Sequence, residues 1–228
     1  MTVQQSTRVE AQPPLTEIAL RKLRSDVLAG NLEAGSKLKI DTLQQEYAIS
    51  SSPLREALSR LTQEGLVRSD ERKGFRVAPL SIEDLEDITR MRLMLDIEAL
   101  QESIAMGDDE WEATVVAAFY RLERTESKLS DGPVLLDENW TELHRNFHMA
   151  LISACPSERL LNWCASLFDQ AERYRRLSAR IRPGSRRKSN EHKRIMDAVL
   201  KRDEGTACEL LRDHITRTKN NVEISLKK

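Results

Sequence analysis

The amino-acid sequence predicts a mainly α fold in two parts: an N-terminal winged helix-turn-helix, then an all-α helical bundle. Three observations carry that prediction. From Thr16 to Gly65 the apolar residues form three runs at helical spacing, each stopped by turn residues. From Leu66 to Ala78 two short apolar runs flank a charged turn, as in a β-hairpin. After Pro79 strand signals largely vanish and helical periodicity continues toward the C-terminus. A chain of 228 residues has room for two ordinary domains. The expected division is a flexible arm over 1–14, the winged helix-turn-helix over 15–79 and the helical domain over 80–228.

Each element follows from its residues. The arm is polar and ends in Pro13-Pro14. Ile18, Ala19, Leu23, Val27 and Leu28 mark a first helix of about four turns, which Gly30-Asn31 stops. Asp41 is expected to cap a short second helix carrying Leu43 and Tyr47. Ser50-Ser51-Ser52-Pro53 is expected to cap a third through a serine hydroxyl, with Pro53 in its first turn. There Leu54, Ala57, Leu58 and Leu61 face inward, Arg55, Ser59 and Thr62 face outward, and Gly65 ends the helix. Ser81, with Asp84 three residues on, opens the first of about six further helices. Their apolar stripes include Leu85, Ile88, Leu95 and Leu100, then Val115, Val116, Phe119 and Leu122, then Phe147, Leu151 and Ile152. Breaks are expected at Ser130-Asp131-Gly132-Pro133, Cys155-Pro156-Ser157, Arg182-Pro183-Gly184 and Asp203-Glu204-Gly205.

Composition excludes several classes. The 36 basic and 37 acidic residues give a net charge of −1, so bulk charge does not draw this chain to nucleic acid. Residues 1–80 hold 12 basic and 10 acidic residues, so DNA binding has to be local and geometric. Cys155, Cys164 and Cys208 form no C-x-x-C pair and are odd in number, which fits buried thiols in a reducing compartment. No charged-then-apolar leader opens the sequence, and no run approaches the roughly 18 apolar residues that span a bilayer. A cytoplasmic protein without membrane contact is the expectation.

Two short helices with a tight connection, followed by a hairpin, can place the second helix in a major groove and the hairpin against the adjacent backbone. Ser50, Ser51, Ser52 and Arg55 occupy the leading turn of that helix. The hydroxyls and the helix N-terminus suit phosphate, and an arginine can pair bidentately with guanine. Lys73, Gly74 and Arg76 are expected at the hairpin tip, where glycine permits close backbone approach, and Lys39 precedes the second helix as a further phosphate contact. The competing possibility is that the serines only cap the helix and Arg55 pairs with Glu56 or Glu64.

The segment Ser52-Pro53-Leu54-Arg55-Glu56-Ala57-Leu58, with Leu61, Glu64-Gly65-Leu66-Val67 and Gly74-Phe75-Arg76-Val77, closely resembles the winged-helix signature of the GntR family. The match covers about residues 16–80. By that resemblance Arg55 reads bases, Ser50 and Ser52 are small polar contacts, and Gly74 is the wing-tip glycine. Many relatives carry arginine where this chain has Ser51, which alters the implied base readout.

All four histidines lie in the helical half. His144 and His148 are one turn apart on one helix face, a spacing that lets two imidazoles share a metal. His192 and His214 are each eleven residues from Asp203, so an antiparallel hairpin turning there brings them to one height. Four nitrogens could then hold a divalent metal, Zn²⁺ first, with Ni²⁺ or Mn²⁺ as alternatives. The bland alternative makes His144 a surface residue and the others core hydrogen-bonding groups.

Arg92 with Glu98, Phe147-His148-Met149-Ala150-Leu151, Glu191-His192-Lys193 and Asp213-His214-Ile215 resemble the FCD ligand-binding domain of the FadR-type GntR branch, over about residues 81–222. In many such domains an aspartate and three histidines hold the metal; the aspartate position here is His144. The resemblance directs Arg92 toward a carboxylate effector, and one of Tyr174 and Arg175 is expected to join it. Trp140, Trp163 and Phe168 are expected in the core. Asp96-Ile97-Glu98-Ala99-Leu100, Trp111-Glu112-Ala113 and Ala171-Glu172-Arg173-Tyr174-Arg175 further resemble the CsiR-like group of carbon-starvation regulators, which implies a dicarboxylate effector.

The resulting expectation is a ligand-responsive repressor of a carboxylate catabolism operon, binding a near-palindromic DNA operator as a homodimer. Two other classes compete. A metal-dependent hydrolase would use the same histidines, with Glu142 or Glu191 as base, but has no H-E-x-x-H signature. A pure interaction scaffold leaves Arg55 and the hairpin unexplained.

Overall fold

The computed structural model describes residues 13–70, 74–128, 138–181 and 190–226. They separate into two compact units, one formed by the residues up to Val27 with Gly35–Ala78, the other by Leu28–Ala34 with the residues from Pro79 onward.

The first unit is built on α1 (Leu15–Ala29), β1 (Lys37–Leu38), α2 (Ile40–Tyr47), α3 (Ser51–Gln63), β2 (Val67–Asp70) and β3 (Gly74–Val77). Helix α1 buries Ala19, Leu20, Leu23 and Val27, and α3 buries Leu54, Ala57, Leu58 and Leu61, the stripe its spacing predicts. Gly65, at φ 73°, closes α3. Its own N–H bonds the Thr62 carbonyl while that of Leu66 bonds Leu61, a pairing that satisfies two carbonyls at the helix end. Two expectations change. Helix α2 starts at Ile40 with Lys39 as its cap, leaving Asp41 in the first turn, where a carboxylate meets the positive helix end. The hairpin is also the larger part of a three-stranded antiparallel sheet, order β1-β3-β2, in which the two-residue β1 pairs Lys37 with Arg76 and Leu38 with Phe75.

The second unit holds α4 (Ile82–Met106), α5 (Asp109–Glu126), α6 (Glu138–Leu151), α7 (Glu158–Ile181), α8 (Glu191–Leu200) and α9 (Glu204–Leu226). Ser81 caps α4 by accepting from the Asp84 N–H at 3.1 Å, and Asp108 caps α5 by accepting from that of Trp111 at 2.9 Å. Helix α4 packs on α7 and α9, α5 on α6 and α8, and α8 turns back against α9. The turn runs through Arg202 and Asp203, and Asp203 accepts from the Thr206 N–H. The break at Cys155-Pro156-Ser157 separates α6 from α7; those predicted at 130–133 and 182–184 lie outside the described residues. Leu100, Val115, Leu122, Phe147, Leu151 and Ile195 lie in the principal core, as do Cys155, Cys164 and Cys208, all three free thiols. Val116 and Trp163 depart from expectation: they are 43% and 62% exposed, on the outer faces of α5 and α7.

Candidate functional site

In the first unit, Ala48 in the left-handed region at φ 54° turns the chain from α2 toward α3, and Ile49 is buried behind it. Ser50 is the N-cap of α3 by backbone position, but contrary to expectation its hydroxyl makes no capping hydrogen bond; Ser51 is half-buried, and Ser52 and Arg55 are exposed on the leading turns. The acids that could have claimed Arg55 are otherwise engaged. Glu56 pairs with Arg60 at 2.9 Å and accepts from Thr16, while Glu64 is held by Arg24. Arg60 also reaches Glu17, so among α3's arginines Arg55 is the one the packing leaves to solvent. Lys39 and Gly74 are exposed, Gly74 at φ 78°; Arg76, expected at the hairpin tip, instead lies within β3 between Lys37 and Arg68, where it is exposed and donates to the Gly35 carbonyl at 3.3 Å. Lys73 lies outside the described residues.

In the second unit the four histidines meet. His144 and His148 come from α6, His192 from α8 and His214 from α9, and one nitrogen of each lies within 4.8 Å of the others. All four are buried. Ring centroids are 4.6 Å apart for His144 and His148, 5.1 Å for His148 and His214, and 4.9 Å for His192 and His214. Burial, then the neighbouring imidazoles and arginines, hold His144 and His148 well below the ordinary histidine range, so both are neutral, the form that binds metal. His214 Nδ1 lies 2.9 Å from Glu191 Oε2, and Arg217 in turn grips Glu191. A carboxylate on one ring nitrogen orients the other toward a metal. Nδ1 of His144 and Nε2 of His148 are buried without a hydrogen-bond partner, which is costly unless something fills the centre. The donor set therefore fits a divalent ion.

A small cavity of about 20 Å³ opens beside this cluster, lined by His144, His148, His214, Arg92, Phe168, Glu172, Arg175 and Thr218 among others. Arg92 is buried, pairs with buried Asp96 at 2.9 Å and lies over the Phe168 ring. Arg175 donates to Glu172 at 2.7 Å and lies 4.3 Å from the centroid of the Trp140 ring. Of the two expected neighbours on α7, Arg175 reaches the cavity and Tyr174 does not. One residue is about 100° around a helix, which turns Tyr174 into the cluster of Leu85, Ile88, Leu167 and Val222. Its hydroxyl donates to Asp84 at 2.6 Å and accepts from the Ser81 N–H. Trp140, expected only as packing, also stacks on His144 at 4.5 Å and donates its indole N–H to Glu126, which lies 3.9 Å from His192 Nδ1. Its proximity to His144, four residues away, was legible as i,i+4 spacing; its proximity to Arg175 was not.

Residues 15–77 match the family described as bacterial regulatory proteins, gntR family, and residues 87–217 match the FCD domain. The chain belongs to the GntR family. Relatives include the protein named uncharacterized HTH-type transcriptional regulator BphR, from Paraburkholderia xenovorans, 41% identical over 88% of this chain and 82% of that protein. Another is the HTH-type transcriptional repressor GlaR of Escherichia coli, 38% identical over 86% of this chain and 90% of its own length. A solved GntR family regulator from Pseudomonas syringae pv. tomato is 27% identical with a TM-score of 0.54, covering 95% of this chain and 89% of that one. E. coli McbR/YncC, at 17% identity, a TM-score of 0.71 and coverage of 95% and 99%, shows the fold alone. This GntR regulator is therefore a DNA-binding transcriptional regulator and not an enzyme. Neither carboxylate considered as a base for the hydrolase alternative is placed for that role: Glu142 is exposed, and Glu191 is committed to His214 and Arg217. No helix among the described residues is long and apolar enough to cross a membrane.

Proposed function

We propose that this GntR regulator is a ligand-responsive repressor of a carboxylate catabolism operon, working in the cytoplasm as a homodimer on a near-palindromic operator. Its effector is a small organic acid, best a dicarboxylate, anchored on a divalent metal, Zn²⁺ before Ni²⁺ or Mn²⁺, held by His144, His148, His192 and His214. The observation that carries this is a cluster of four buried imidazoles, three of which (His144, His148 and His214) line one cavity together with Arg92 and Arg175. A bound ion would supply a Lewis-acid site for one carboxylate, while a guanidinium can hold another through charge-assisted hydrogen bonds. The name of GlaR, a repressor, supports the sign of regulation. Base reading is assigned to Arg55 with Ser50, Ser51 and Ser52, and phosphate contacts to Lys39, Lys73, Gly74 and Arg76.

The test is thermal unfolding against a panel of mono- and dicarboxylates, with metal content assayed, before and after chelation. A ligand that binds only the folded state raises the midpoint with the logarithm of its excess over Kd. A dicarboxylate-specific shift that chelation removes supports the reading. A shift indifferent to chelation moves the effector to the arginines alone and overturns the metal anchor.

A further inference from the structure

Strand register in the first unit places three basic residues in one row across the sheet. Lys37 of β1 stands opposite Arg76 of β3, and Arg76 stands opposite Arg68 of β2. Residues paired this way project from the same face, and all three are exposed. The alternating positions Leu38, Val67 and Val77 are buried, so the row lies on the face turned away from this unit's core. Strands are about 4.8 Å apart, so three cations occupy roughly 10 Å of surface. Like charges directly opposite each other destabilise an antiparallel pair. Among the described residues no ion pair to a carboxylate relieves the row; Arg76 donates only to the Gly35 carbonyl. Such crowding is relieved by a partner dense in negative charge.

We propose that Lys37, Arg68 and Arg76 form a phosphate-binding row that grips the DNA backbone independently of base reading by α3. Arg76 alone is evident from its place in the hairpin; Lys37 and Arg68 join it only through the sheet. Duplex DNA presents one negative charge per roughly 1.7 Å of its axis, so a 10 Å row faces several phosphates. In a protein with a net charge of −1, a local row of this kind supplies attraction that bulk charge does not. It contributes affinity for any duplex and no sequence preference.

The experiment is fluorescence anisotropy of the full-length protein on a labelled duplex of arbitrary sequence, across a range of KCl concentrations. Each phosphate contact contributes about 0.9 to the slope of log K against log salt. Lys37→Ala/Arg68→Ala is expected to lower that slope by roughly 1.8 per bound protomer, and Arg68→Ala alone by about half as much. The control is Lys201→Ala/Arg212→Ala, two exposed cations of the second unit, which removes the same charge and should leave the slope at the wild-type value. Exposed substitutions leave the fold intact, which the melting temperature checks. A sheet variant that melts and binds like wild type, with an unchanged slope, overturns the proposal. An equal loss in the control pair also overturns it, by making the effect one of net charge.

Discussion

Acidifying the metal-free protein should destabilise it steeply below pH 6.5. His144 and His148 are fully buried, and their folded-state pKa values lie well below the ordinary 6.5 because burial, then nearby imidazoles and arginines, oppose protonation. Above pH 6.5 neither the folded nor the unfolded chain protonates them, and their contribution to stability is complete. Below it the unfolded chain takes up protons that the folded one refuses, so stability is lost until the pH falls through the folded values. One group in that window costs about 1.4 kcal/mol per pH unit, and the two together about 2.7. Asp96 works in the opposite sense. Burial, against the pull of Arg92, raises its carboxyl above the ordinary 3.8, so its contribution is full below that value and falls away as pH rises through the folded one. Urea unfolding in the presence of chelator, stepped from pH 7.5 to pH 5.5, measures the net slope. His144→Gln/His148→Gln isolates the imidazoles, since Asp96 is common to both proteins. The difference in slope should be about 2.7 kcal/mol per pH unit. Identical slopes in the two proteins would refute the buried, neutral pair.

Other perturbations separate the parts of the molecule. Four imidazoles offer no oxygen ligand, so competition titrations should rank Zn²⁺ and Ni²⁺ well above Mn²⁺, and His144→Asp should narrow that gap by about tenfold or more. Glu191→Gln, which weakens the carboxylate on His214, should lower Zn²⁺ affinity by about 10- to 100-fold in the same assay. Arg55→Ala should cost roughly 1–3 kcal/mol per head on an operator, and relax sequence preference, with no change in melting temperature; selection of genomic fragments by the wild type and the variant reads both. Trp140→Leu should weaken Zn²⁺ and carboxylate binding together, whereas Trp140→Phe, keeping an aromatic face for His144 and Arg175, should preserve most of each. A merely structural tryptophan would lower the melting temperature and leave Zn²⁺ affinity alone.

What could be read from the sequence was whatever local geometry decides. The cap at Ser81 and the stop at Gly65 depend on a few adjacent residues and stand where they were expected. The histidine centre was legible for a similar reason. His144 and His148 are fixed by one helical turn, and His192 and His214 by equal distance from the turn at Asp203, so helix geometry alone nearly assembles them. The features that were not legible depend on which face meets which neighbour. A two-residue strand such as β1 has no pattern of its own, and Lys37 and Arg68 become neighbours of Arg76 only once the sheet is paired. Periodicity assigned Val116 inward, and aromatic character did the same for Trp163, yet among the described residues both are left 43% and 62% exposed. Tyr174 and Arg175 differ by one position, and only the packing of α7 against α4 and α9 decides which of them reaches the cavity.

The same packing sets the charge at the proposed effector site, and charge discriminates among organic acids. Arg92 is balanced by Asp96. Among the described residues one carboxylate, Glu172, pairs with both Arg175 of the cavity wall and Arg176, which leaves the two guanidiniums one positive charge in excess. An imidazole that ligates a metal is neutral and adds no charge of its own, so an ion held there would keep its double charge, where a carboxylate ligand would have cancelled part of it. His144 therefore makes the site more strongly cationic than a centre with an aspartate at that position. A dianion gains more from that excess than a monoanion of the same length. In the carboxylate panel, the preference for dicarboxylates should accordingly shrink in His144→Asp and in Arg175→Gln, and should shrink further when the two are combined. If His144→Asp left the preference unchanged while still binding metal, the shape of the cavity and not its charge would be selecting the effector.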